Sequence, residues 1–273
     1  MKKNLLILFS LSLLSLTTIS SAKSIRIGTE GAYPPWNNLN SAGELEGAEI
    51  DFGNEACSRM PVECEWVTQD WDGIIPALLQ GKYDIIIAGM SITEERKEKV
   101  NFTNGYMTDG ARFAVLKGSG LEGLSVDKFT GGINKVNLNN AGGKEQAAIG
   151  QLIAAMNGST VCVQSSTIHQ NFLDKHMSGA VKVKLYQSVD DHNLDLAAGR
   201  CDAILADVGS IIDFMESDGG VDVAFTGPTF SGGVFGDGVG GAVRKEDTDI
   251  LEMWNKAIAE MSADGTTAEI TKK

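Results

Sequence analysis

A serine, a threonine and an arginine lie close together directly after an isoleucine-rich segment with the pattern of a buried strand. The segment that follows this strand reads AGMSITEER and contains Ala88, Gly89, Ser91, Thr93 and Arg96. Hydroxyl groups and amides at a helix start favour a bound anion, and an arginine adds a planar fork of donors that matches a carboxylate. The spacing predicts a carboxylate site. The alternative is a simple turn in which Ser91 or Thr93 caps a helix and Arg96 is solvated.

Polar and aromatic side chains also follow the other predicted strands. They are Glu30, Tyr33 and Trp71 in the first part of the chain, and Gln164, Thr167 and Asp207 in the second. Ligands of open α/β sheets bind beyond the carboxyl ends of the strands. We therefore expect these side chains to meet in one cleft.

The chemistry of these side chains suits an amino acid. Arg96 and Ser91 would bind the carboxylate, and Asp207 would accept hydrogen bonds from the α-ammonium group. Glu30 would pair with a cation at the far end of the ligand. Thr167 would add a hydroxyl group from the second part of the chain, on the opposite side of the cleft. The alternatives are a helix cap for Asp207 and a solvated loop acid for Glu30.

Two aromatic residues could enclose the ligand side chain. Tyr33 and Trp71 would sandwich an aliphatic or guanidinium group, at about 0.5–2 kcal/mol for each cation–π contact. Both rings could equally be ordinary core aromatics. We interpret Trp36 as a packing residue of its proline loop, and His169 as a surface or helix-start residue.

The hydrophobic pattern predicts strands and helices that alternate in two cycles. We expect strands at residues 24–29, 64–68, 83–88, 113–116, 160–164, 181–186, 203–206, 221–226 and 238–243. We expect helices at residues 48–59, 145–156, 169–176, 189–198 and 248–262, with a further helix after residue 73. Such alternation indicates an α/β fold with mainly parallel sheets flanked by helices.

The two cycles predict two lobes joined by strands. Residues 23–116 and 220–273 would form the first lobe, and residues 117–219 the second. The hinge would lie near residues 115–118 and 208–225, and the polar, glycine-rich residues 118–143 would form loops. The lobes would close around a ligand by hinge motion.

The N-terminus and the charge balance indicate an exported protein. Residues 1–22 combine a basic start, an apolar run too short to span a bilayer comfortably, and small residues before the expected cleavage point. We interpret them as a signal peptide. The formal net charge of −13 argues against binding to nucleic acid or to anionic membranes.

The chain has four cysteines. Cys57 and Cys64 lie between a predicted helix and a predicted strand, which favours a local disulfide in an oxidising compartment. Cys162 and Cys201 lie at strand positions and could pair or remain buried thiols, with pairing slightly favoured. Neither the cysteines nor the scattered histidines have metal-ligand spacing, so we expect no metal site.

The motifs together resemble those of the periplasmic solute-binding proteins that serve amino-acid ABC importers, specifically bacterial extracellular solute-binding protein family 3. Residues 27–36 read IGTEGAYPPW, residues 47–51 GAEID, residues 71–76 WDGIIP, residues 90–96 MSITEER and residues 198–203 AGRCDA. The similarity covers residues 24–265. It implies the type II two-lobe binding fold, a location in the periplasm, a membrane ABC permease as partner, a monomer, and no cofactor or catalytic residue.

The resemblance also implies roles for single residues. In that family the arginine after the serine–threonine turn binds the ligand carboxylate, which matches Arg96. An aromatic residue before the Asp-Gly pair stacks on the ligand and matches Trp71, and the tyrosine of the first loop matches Tyr33. The acids that read a basic side chain and the ammonium group match Glu30 and Asp207. The ligand would be a polar or basic amino acid such as arginine, lysine, ornithine or histidine.

Some positions depart from the pattern of the basic amino-acid binders. Those proteins carry serines where this chain has Ala88 and Gly89, and the smaller residues widen the site. Residues 118–150 look more like the branch that binds opines, the octopine- or nopaline-like conjugates of arginine. In such a ligand a second carboxylate would need Gln164 or Ser165. A third alternative is a periplasmic dehydratase on the same scaffold, for which Glu30 is the one candidate general acid.

Overall fold

The computed structural model describes residues 23–124 and 132–272. The expected signal peptide, residues 1–22, lies outside the described residues. The strands are β1 (Lys23–Thr29), β2 (Ala32–Tyr33), β3 (Asn37–Leu39), β4 (Leu45–Glu46), β5 (Val62–Thr68), β6 (Ile85–Ile86), β7 (Asn101–Phe102), β8 (Ala111–Leu116), β9 (Lys135–Asn137), β10 (Thr160–Gln164), β11 (Lys182–Tyr186), β12 (Ala203–Asp207), β13 (Val223–Ser231) and β14 (Ala242–Val243). The helices are α1 (Ala48–Ser58), α2 (Ile74–Leu79), α3 (Glu94–Lys97), α4 (Gly143–Ala155), α5 (Ile168–His176), α6 (Val189–Ala197), α7 (Val208–Glu216), α8 (Thr248–Asp264) and α9 (Thr266–Ile270), with single 3₁₀ turns at Trp71–Gly73 and Gly233–Phe235.

The first sheet has five strands in the order β5-β1-β6-β14-β7. Strand β1 is parallel to both β5 and β6, and β14 is antiparallel to β6 and β7. Ile25 and Ile27 of β1 are fully buried against α1 and α8, whose Phe52 and Trp254 belong to the same core. A parallel strand is covered by helices on both of its faces, which fits the buried isoleucines of β1 and β6.

The second sheet has six strands in the order β11-β10-β12-β8-β13-β9. Strand β10 is parallel to β11 and β12, whereas β8 is antiparallel to β12 and β13. One core beneath this sheet is built around three mutually packed rings, Phe113, Phe172 and Phe230. The expected α/β fold of two mainly parallel sheets flanked by helices is therefore confirmed.

The lobe boundaries expected at residues 116 and 220 fall inside the second sheet. Strands β8 and β13 pair with each other there, and α7 packs beside them, so the hinge expected near residues 115–118 and 208–225 is wrong. The chain passes between the sheets twice, between β7 and β8 and between β13 and β14. The sheet to which β8 and β13 belong is set by pairing between strands that are remote in sequence, and the local sequence pattern of these strands does not reveal their partners.

The two passages between the sheets lie against each other; we call residues 103–110 and 232–241 the crossing segments. Met107 and Val239 form an antiparallel bridge, with the Val239 amide donating to the Met107 carbonyl at 2.9 Å. Val239 also forms a bridge with Ser91, and the Ile92 amide donates to the Gly238 carbonyl at 2.8 Å. The segment after β6 and both crossing segments therefore share one hydrogen-bonded backbone.

Several short elements were not expected from the sequence. Strands β2, β3 and β4 form a small three-stranded sheet, of which β2 lies in the expected proline loop, and β9 pairs in parallel with β13 inside the segment expected to be irregular. Helices α7 and α9 were also missed. The strand expected over residues 83–88 is limited to β6, although the Asp84 and Ile87 amides still donate to the Arg26 and Gly28 carbonyls at 2.8 Å and 2.9 Å. The chain then turns at Gly89, where φ is +60°.

Both pairs of cysteines are joined. Cys57 and Cys64 form a disulfide with their Cα atoms 6.2 Å apart, as expected. Cys162 and Cys201 form a second, with a Cα separation of 5.9 Å, so the favoured alternative was correct. In residues 23–124 and 132–272, no helix is long and apolar enough to cross a membrane.

Candidate functional site

All ten residues predicted to contact a ligand line a single cavity between the two sheets. They are Glu30, Tyr33, Trp71, Ala88, Gly89, Ser91, Arg96, Gln164, Thr167 and Asp207, and the cavity wall also includes Ile168 and His169. The free space in the cavity is about 20 Å³, close to the room needed for one water molecule. The lobes are thus closed tightly on the site.

The first sheet supplies its part of the wall from loops at the carboxyl ends of its strands. Glu30 directly follows β1, Trp71 follows β5, and Ser91 follows β6. Gly89 lies against the ring of Tyr33, since a Cβ atom at Gly89 would be 3.1 Å from the Cε1 atom of that ring. A side chain at this position would require the ring to shift by a few tenths of an ångström, and the positive φ of Gly89 also favours glycine.

The second sheet supplies its part from the beginnings of two helices. Thr167 is the N-cap of α5, and its hydroxyl accepts from the Gln170 amide at 3.2 Å. Asp207 ends β12 and precedes α7. Helix N-termini carry free amides and partial positive charge. Both residues therefore lie at the carboxyl end of a strand and at the start of a helix.

Arg96 is a partly buried cation without an anionic partner among the described residues. One terminal nitrogen donates to the Ser91 carbonyl at 3.0 Å, and the guanidinium lies 5.2 Å from the centre of the Trp71 ring. Burial lowers the pKa of Arg96 to about 10, so the group stays charged at neutral pH. An unpaired buried charge is costly, and an anionic ligand group would relieve that cost. Arg96 thus has the properties of a carboxylate receptor.

Asp207 faces the cavity with two partners from different directions. The Tyr33 hydroxyl donates to one carboxylate oxygen from across the cleft, and His169 Nε2 lies 3.2 Å from the other. Burial alone would raise the pKa of Asp207, but His169, Tyr33 and the charge of Arg96 outweigh it and lower the pKa. The group is therefore an anion in a desolvated site, which suits a cationic ligand group.

Glu30 is the second acid of the cavity. Gln164 Nε2 donates to it at 2.6 Å from the opposite lobe. Burial raises the pKa of Glu30 to about 7, with smaller contributions in the same direction from Asp70, Asp190 and Asp72. A buried carboxyl that is easily protonated when alone would be held ionised by a cation placed beside it.

The formal charges of the cavity favour a cationic ligand. Glu30 and Asp207 provide two negative charges when ionised, and Arg96 provides one positive charge. An amino-acid zwitterion with a positively charged side chain would leave this set neutral. An acidic side chain would meet a second carboxylate and would be disfavoured.

His169 and Ile168 are the cavity residues that the sequence interpretation missed. His169 was expected at the surface or at a helix start; it does lie in the first turn of α5, but only 5 % of it is exposed. The expectation of a surface position is therefore wrong. A histidine after a helix cap carries no pattern that tells which face it occupies, so the sequence offered no signal for this contact.

The expected partners for a second ligand carboxylate are already engaged. Gln164 donates to Glu30 and to the Gln187 carbonyl, while the Ser165 hydroxyl donates to Asp72 at 2.9 Å. Gln164 therefore lies beside Glu30, and its amide group is not free to bind a second ligand carboxylate. This assigns it to the end of the cavity that faces Glu30.

Other contacts also join the two lobes. Trp71 Nε1 donates to the Ser166 carbonyl at 3.0 Å, and Asn171 donates to Glu95 at 3.3 Å. Val189 of α6 packs with three residues of the first lobe, Tyr33, Trp36 and Ala48. Trp36 is thus a packing residue, as expected, but it packs across the cleft as well as within its own loop.

A buried acid behind the cavity supports the loops of the first lobe. Glu49, in the first turn of α1, accepts from the Gly89 amide at 2.8 Å, from Asn37 Nδ2 at 2.8 Å and from the Tyr106 hydroxyl. The side-chain oxygen of Asn37, Oδ1, in turn accepts from the Gly31 amide at 2.8 Å. One side chain therefore links the segments that carry Glu30 and Gly89 to a crossing segment.

The fold and the cavity define a class of protein: a two-lobe α/β binding protein with its site between the lobes. The sequence matches the family model of bacterial extracellular solute-binding proteins, family 3, over residues 25–273. The chain belongs to this family.

The chain is similar over most of its length to several proteins of known role and to solved structures. The L-arginine-binding protein of Pseudomonas aeruginosa is 37% identical over 266 residues, which cover 97% of this chain and 92% of the relative. The octopine-binding periplasmic protein of Rhizobium meliloti is 39% identical over 225 residues, covering 82% and 74%. The structure of an ancestral arginine-binding protein bound to arginine has a TM-score of 0.75 and 31% identity, and the match covers 92% of this chain and 98% of that one.

Proposed function

We propose that this protein is the periplasmic substrate-binding component of an ABC transporter and that it captures a basic amino acid, arginine or a close analogue. The protein would bind its ligand by closing the lobes and would then deliver it to a membrane permease. The observation that carries the proposal is the partly buried, unpaired guanidinium of Arg96 in one cavity with two acids, Asp207 and Glu30.

Each group of the ligand has a matching group in the cavity. Arg96 and Ser91 bind the carboxylate. Thr167 lines the site and caps α5, but its hydroxyl already donates to the Gln164 carbonyl at 2.8 Å. Asp207 binds the α-ammonium group, and Glu30 pairs with the distal cation. A bidentate guanidinium–carboxylate contact is worth more than a single neutral hydrogen bond, so Arg96 supplies the largest part of the affinity.

The site also supports the remaining assignments. Tyr33 and Trp71 flank the side chain of the ligand, and Ala88 and Gly89 leave room for it. Gln164 already donates to Glu30, and it orients that carboxylate toward the distal cation. The lobes move about the crossing segments, residues 103–110 and 232–241, as two bodies that contain one sheet each. We propose further that residues 1–22 export the chain, that it acts as a monomer and that it has no catalytic activity.

Ligand binding requires rearrangement of the closed site. The Tyr33 hydroxyl and His169 Nε2 already occupy both oxygens of Asp207, and the free space is about 20 Å³. A ligand would therefore enter while the lobes are apart, and its ammonium group would take the place of the Tyr33 hydroxyl on Asp207 while His169 keeps its contact. Closure is favoured to the extent that the ligand binds the closed form better than the open one.

An opine remains a second candidate because a larger cavity adjoins the first. This outer cavity has a volume of about 640 Å³ and shares Trp71 and Arg96 with the ligand site. Lys99 and Asn171 also line it. A carboxylated substituent on the α-nitrogen could extend into this space, beside the cation of Lys99, and the relationship to the octopine-binding protein supports the possibility.

Isothermal titration calorimetry of the refolded, ligand-free protein tests the proposal. The panel contains arginine, lysine, ornithine, histidine, glutamine, glutamate and octopine. We expect the basic amino acids to bind most tightly and glutamate to show no heat. Tighter binding of octopine than of arginine would support the opine candidate, and no heat with any of these compounds would contradict both. Incubation with prephenate, followed by product analysis, checks the absence of dehydratase activity.

A further inference from the structure

Asp109 lies at the end of the first crossing segment and binds the start of a helix in the second lobe. One carboxylate oxygen accepts from the Gly110 amide at 2.7 Å, and the other accepts from the Gly209 amide at 2.9 Å. Gly209 belongs to the first turn of α7. Amides in the first turn of a helix have no partner within the helix, and a carboxylate there is stabilised by hydrogen bonds and by the helix dipole.

The residue that would ordinarily bind these amides is Asp207, since it is the N-cap of α7. Its side chain makes no capping hydrogen bond. Its two oxygens face Tyr33 and His169 in the cavity instead. Aspartate is among the preferred N-cap residues because its carboxylate readily turns back onto the helix amides. Asp109 takes the place that this carboxylate would otherwise fill.

The backbone around α7 is fitted closely to Asp109. The Val208 amide donates to the Gly110 carbonyl at 2.7 Å, so the crossing segment is also joined to the helix through its main chain. A Cβ atom at Gly209 would lie 2.9 Å from the Asp109 Oδ2 atom and 2.6 Å from the Trp36 ring. A glycine is therefore required for the carboxylate to reach the helix start.

We propose that Asp109 is a positioning residue for ligand binding: it caps α7 in place of Asp207, and this leaves Asp207 free to bind the ammonium group of the ligand. Its negative charge, close to that of Asp207, also adds to the attraction for the ligand cation. The inference rests on the proposed function, because it concerns the same site.

The proposal implies that ligand binding releases protons. Asp207 and Tyr33 are the titratable groups that face Asp109, and Asp207 in turn contacts His169 and interacts with Arg96. Burial, followed by the charge of Asp207, raises the pKa of Asp109 to about 7. A ligand ammonium on Asp207 offsets that charge and lowers the pKa of Asp109. The affinity therefore increases as the pH rises through about 7.

Three variants separate positioning from simple stability. Asp109→Asn keeps one acceptor and removes the charge, and Asp109→Ala removes both acceptors. Asp213→Asn is the matched control, because Asp213 lies in the same helix outside the cavity and undergoes the same chemical change. Arginine binding is measured by calorimetry at pH 6 and pH 8, and at pH 7 in two buffers of different ionisation enthalpy, which gives the number of protons released. Thermal unfolding of each variant monitors the fold.

We expect Asp109→Asn to weaken arginine binding about three- to tenfold at pH 8 and much less at pH 6, where the native carboxyl is also protonated. The variant should release up to about half a proton fewer at pH 7. Asp109→Ala should weaken binding at both pH values, because Asp207 then turns toward the helix amides. The control should match the native protein in all of these measurements.

Two results would overturn the inference. One is an Asp109→Asn variant with the affinity, pH dependence and proton release of the native protein. The other is an Asp109→Ala variant that loses thermal stability but binds arginine normally once folded, since Asp109 would then serve stability alone. Failure of the proposed function is recognised separately, because the native protein itself would then bind no member of the ligand panel.

Discussion

The two halves of the ligand cavity are built in different ways. In the first half, which we call the loop half, the site residues lie on loops or in very short elements such as α3, and the buried carboxylate of Glu49 supports the segments around Gly31 and Gly89 from behind. We call the second half the helix half. In the second half Thr167 and Asp207 lie at the starts of α5 and α7, so regular secondary structure fixes their places. The loop half contains the partly buried cation Arg96, and the helix half contains the acid Asp207.

The two halves also differ in whether their charged group already has a hydrogen-bond or ionic partner. Arg96 has no anionic partner within the described ranges, whereas Asp207 already has Tyr33 and His169. A ligand carboxylate therefore supplies a missing partner in the loop half, while a ligand ammonium has to replace existing hydrogen bonds in the helix half. We expect the free energy of binding to depend more strongly on the loop half.

The largest expected effect is the loss of Arg96. Arg96→Ala should weaken arginine binding by more than about a hundredfold, because the ligand carboxylate would then be buried without its cation. Lys97→Ala is the matched control: Lys97 is the next residue in α3, is exposed and pairs with Glu94. Calorimetry measures both affinities. An Arg96→Ala variant that binds within about threefold of the native protein would contradict the assignment of the carboxylate site.

The position of Arg96 was predictable, and the reason lies in local sequence. A strand that ends in small residues, hydroxyls and an arginine is visible without long-range information, and the same holds for Glu30, Trp71, Thr167 and Asp207 at other strand ends. The repeated alternation of strands and helices likewise made the α/β class predictable.

Other features depend on partners that are remote in sequence. The sheet membership of β8 and β13 is set by pairing across about a hundred residues, and β9 joins β13 in the same way. Glu49 and Asp109 are single acids in segments that look like a helix start and a loop. Their importance follows from burial, which the local pattern did not reveal.

The second expected effect concerns Glu30 and depends on the ligand. Glu30→Gln should weaken arginine binding about tenfold or more, because it removes a charge-assisted hydrogen bond to the distal cation. Binding of glutamine, if the native protein binds it, should change little. Calorimetry with both ligands measures the difference. Equal losses for the two ligands would show that Glu30 does not read the side chain.

The same residue predicts a pH dependence with a definite sign. The pKa of Glu30 is raised to about 7 in the unliganded site, and a bound cationic side chain would lower it. Arginine affinity should therefore fall as the pH drops from 8 to 5.5, and Glu30→Gln should flatten this slope. Asp109 contributes in the same pH range, so the double variant with Asp109→Asn should be flatter than either single one. A native affinity that does not vary with pH would contradict both assignments.

A smaller effect is expected at His169, in the helix half. His169→Ala should weaken arginine binding about three- to tenfold, because Asp207 loses one hydrogen-bond partner that keeps it ionised and oriented. His169→Gln retains an N–H donor near the same place and should restore much of the affinity. Titration calorimetry at pH 7.5 compares the two. If the glutamine variant binds no better than the alanine variant, the histidine acts by filling space.

The smallest effect on binding, and a clear one on stability, is expected for the disulfides. The Cys162–Cys201 disulfide joins residues with a sequence separation of 39, and the Cys57–Cys64 disulfide joins residues with a separation of 7. Chain-entropy arguments predict stabilisation of about 3–4 kcal/mol for the longer loop and about 2–3 kcal/mol for the shorter. Chemical unfolding of Cys162→Ser/Cys201→Ser and Cys57→Ser/Cys64→Ser should show this order. The reverse order would contradict the chain-entropy account of the two disulfides.

The bridge that Val239 forms with both Met107 and Ser91 has a consequence for the order of events during capture. Points near a rotation axis move least. Ser91 forms a backbone bridge with Val239, which lies in one of the crossing segments about which we propose that the lobes rotate. If the lobes rotate as we propose, the place where a carboxylate docks would move least. A ligand arriving in the open protein would anchor by its carboxylate first, and its ammonium group and side chain would be engaged only as the more distant surfaces come together.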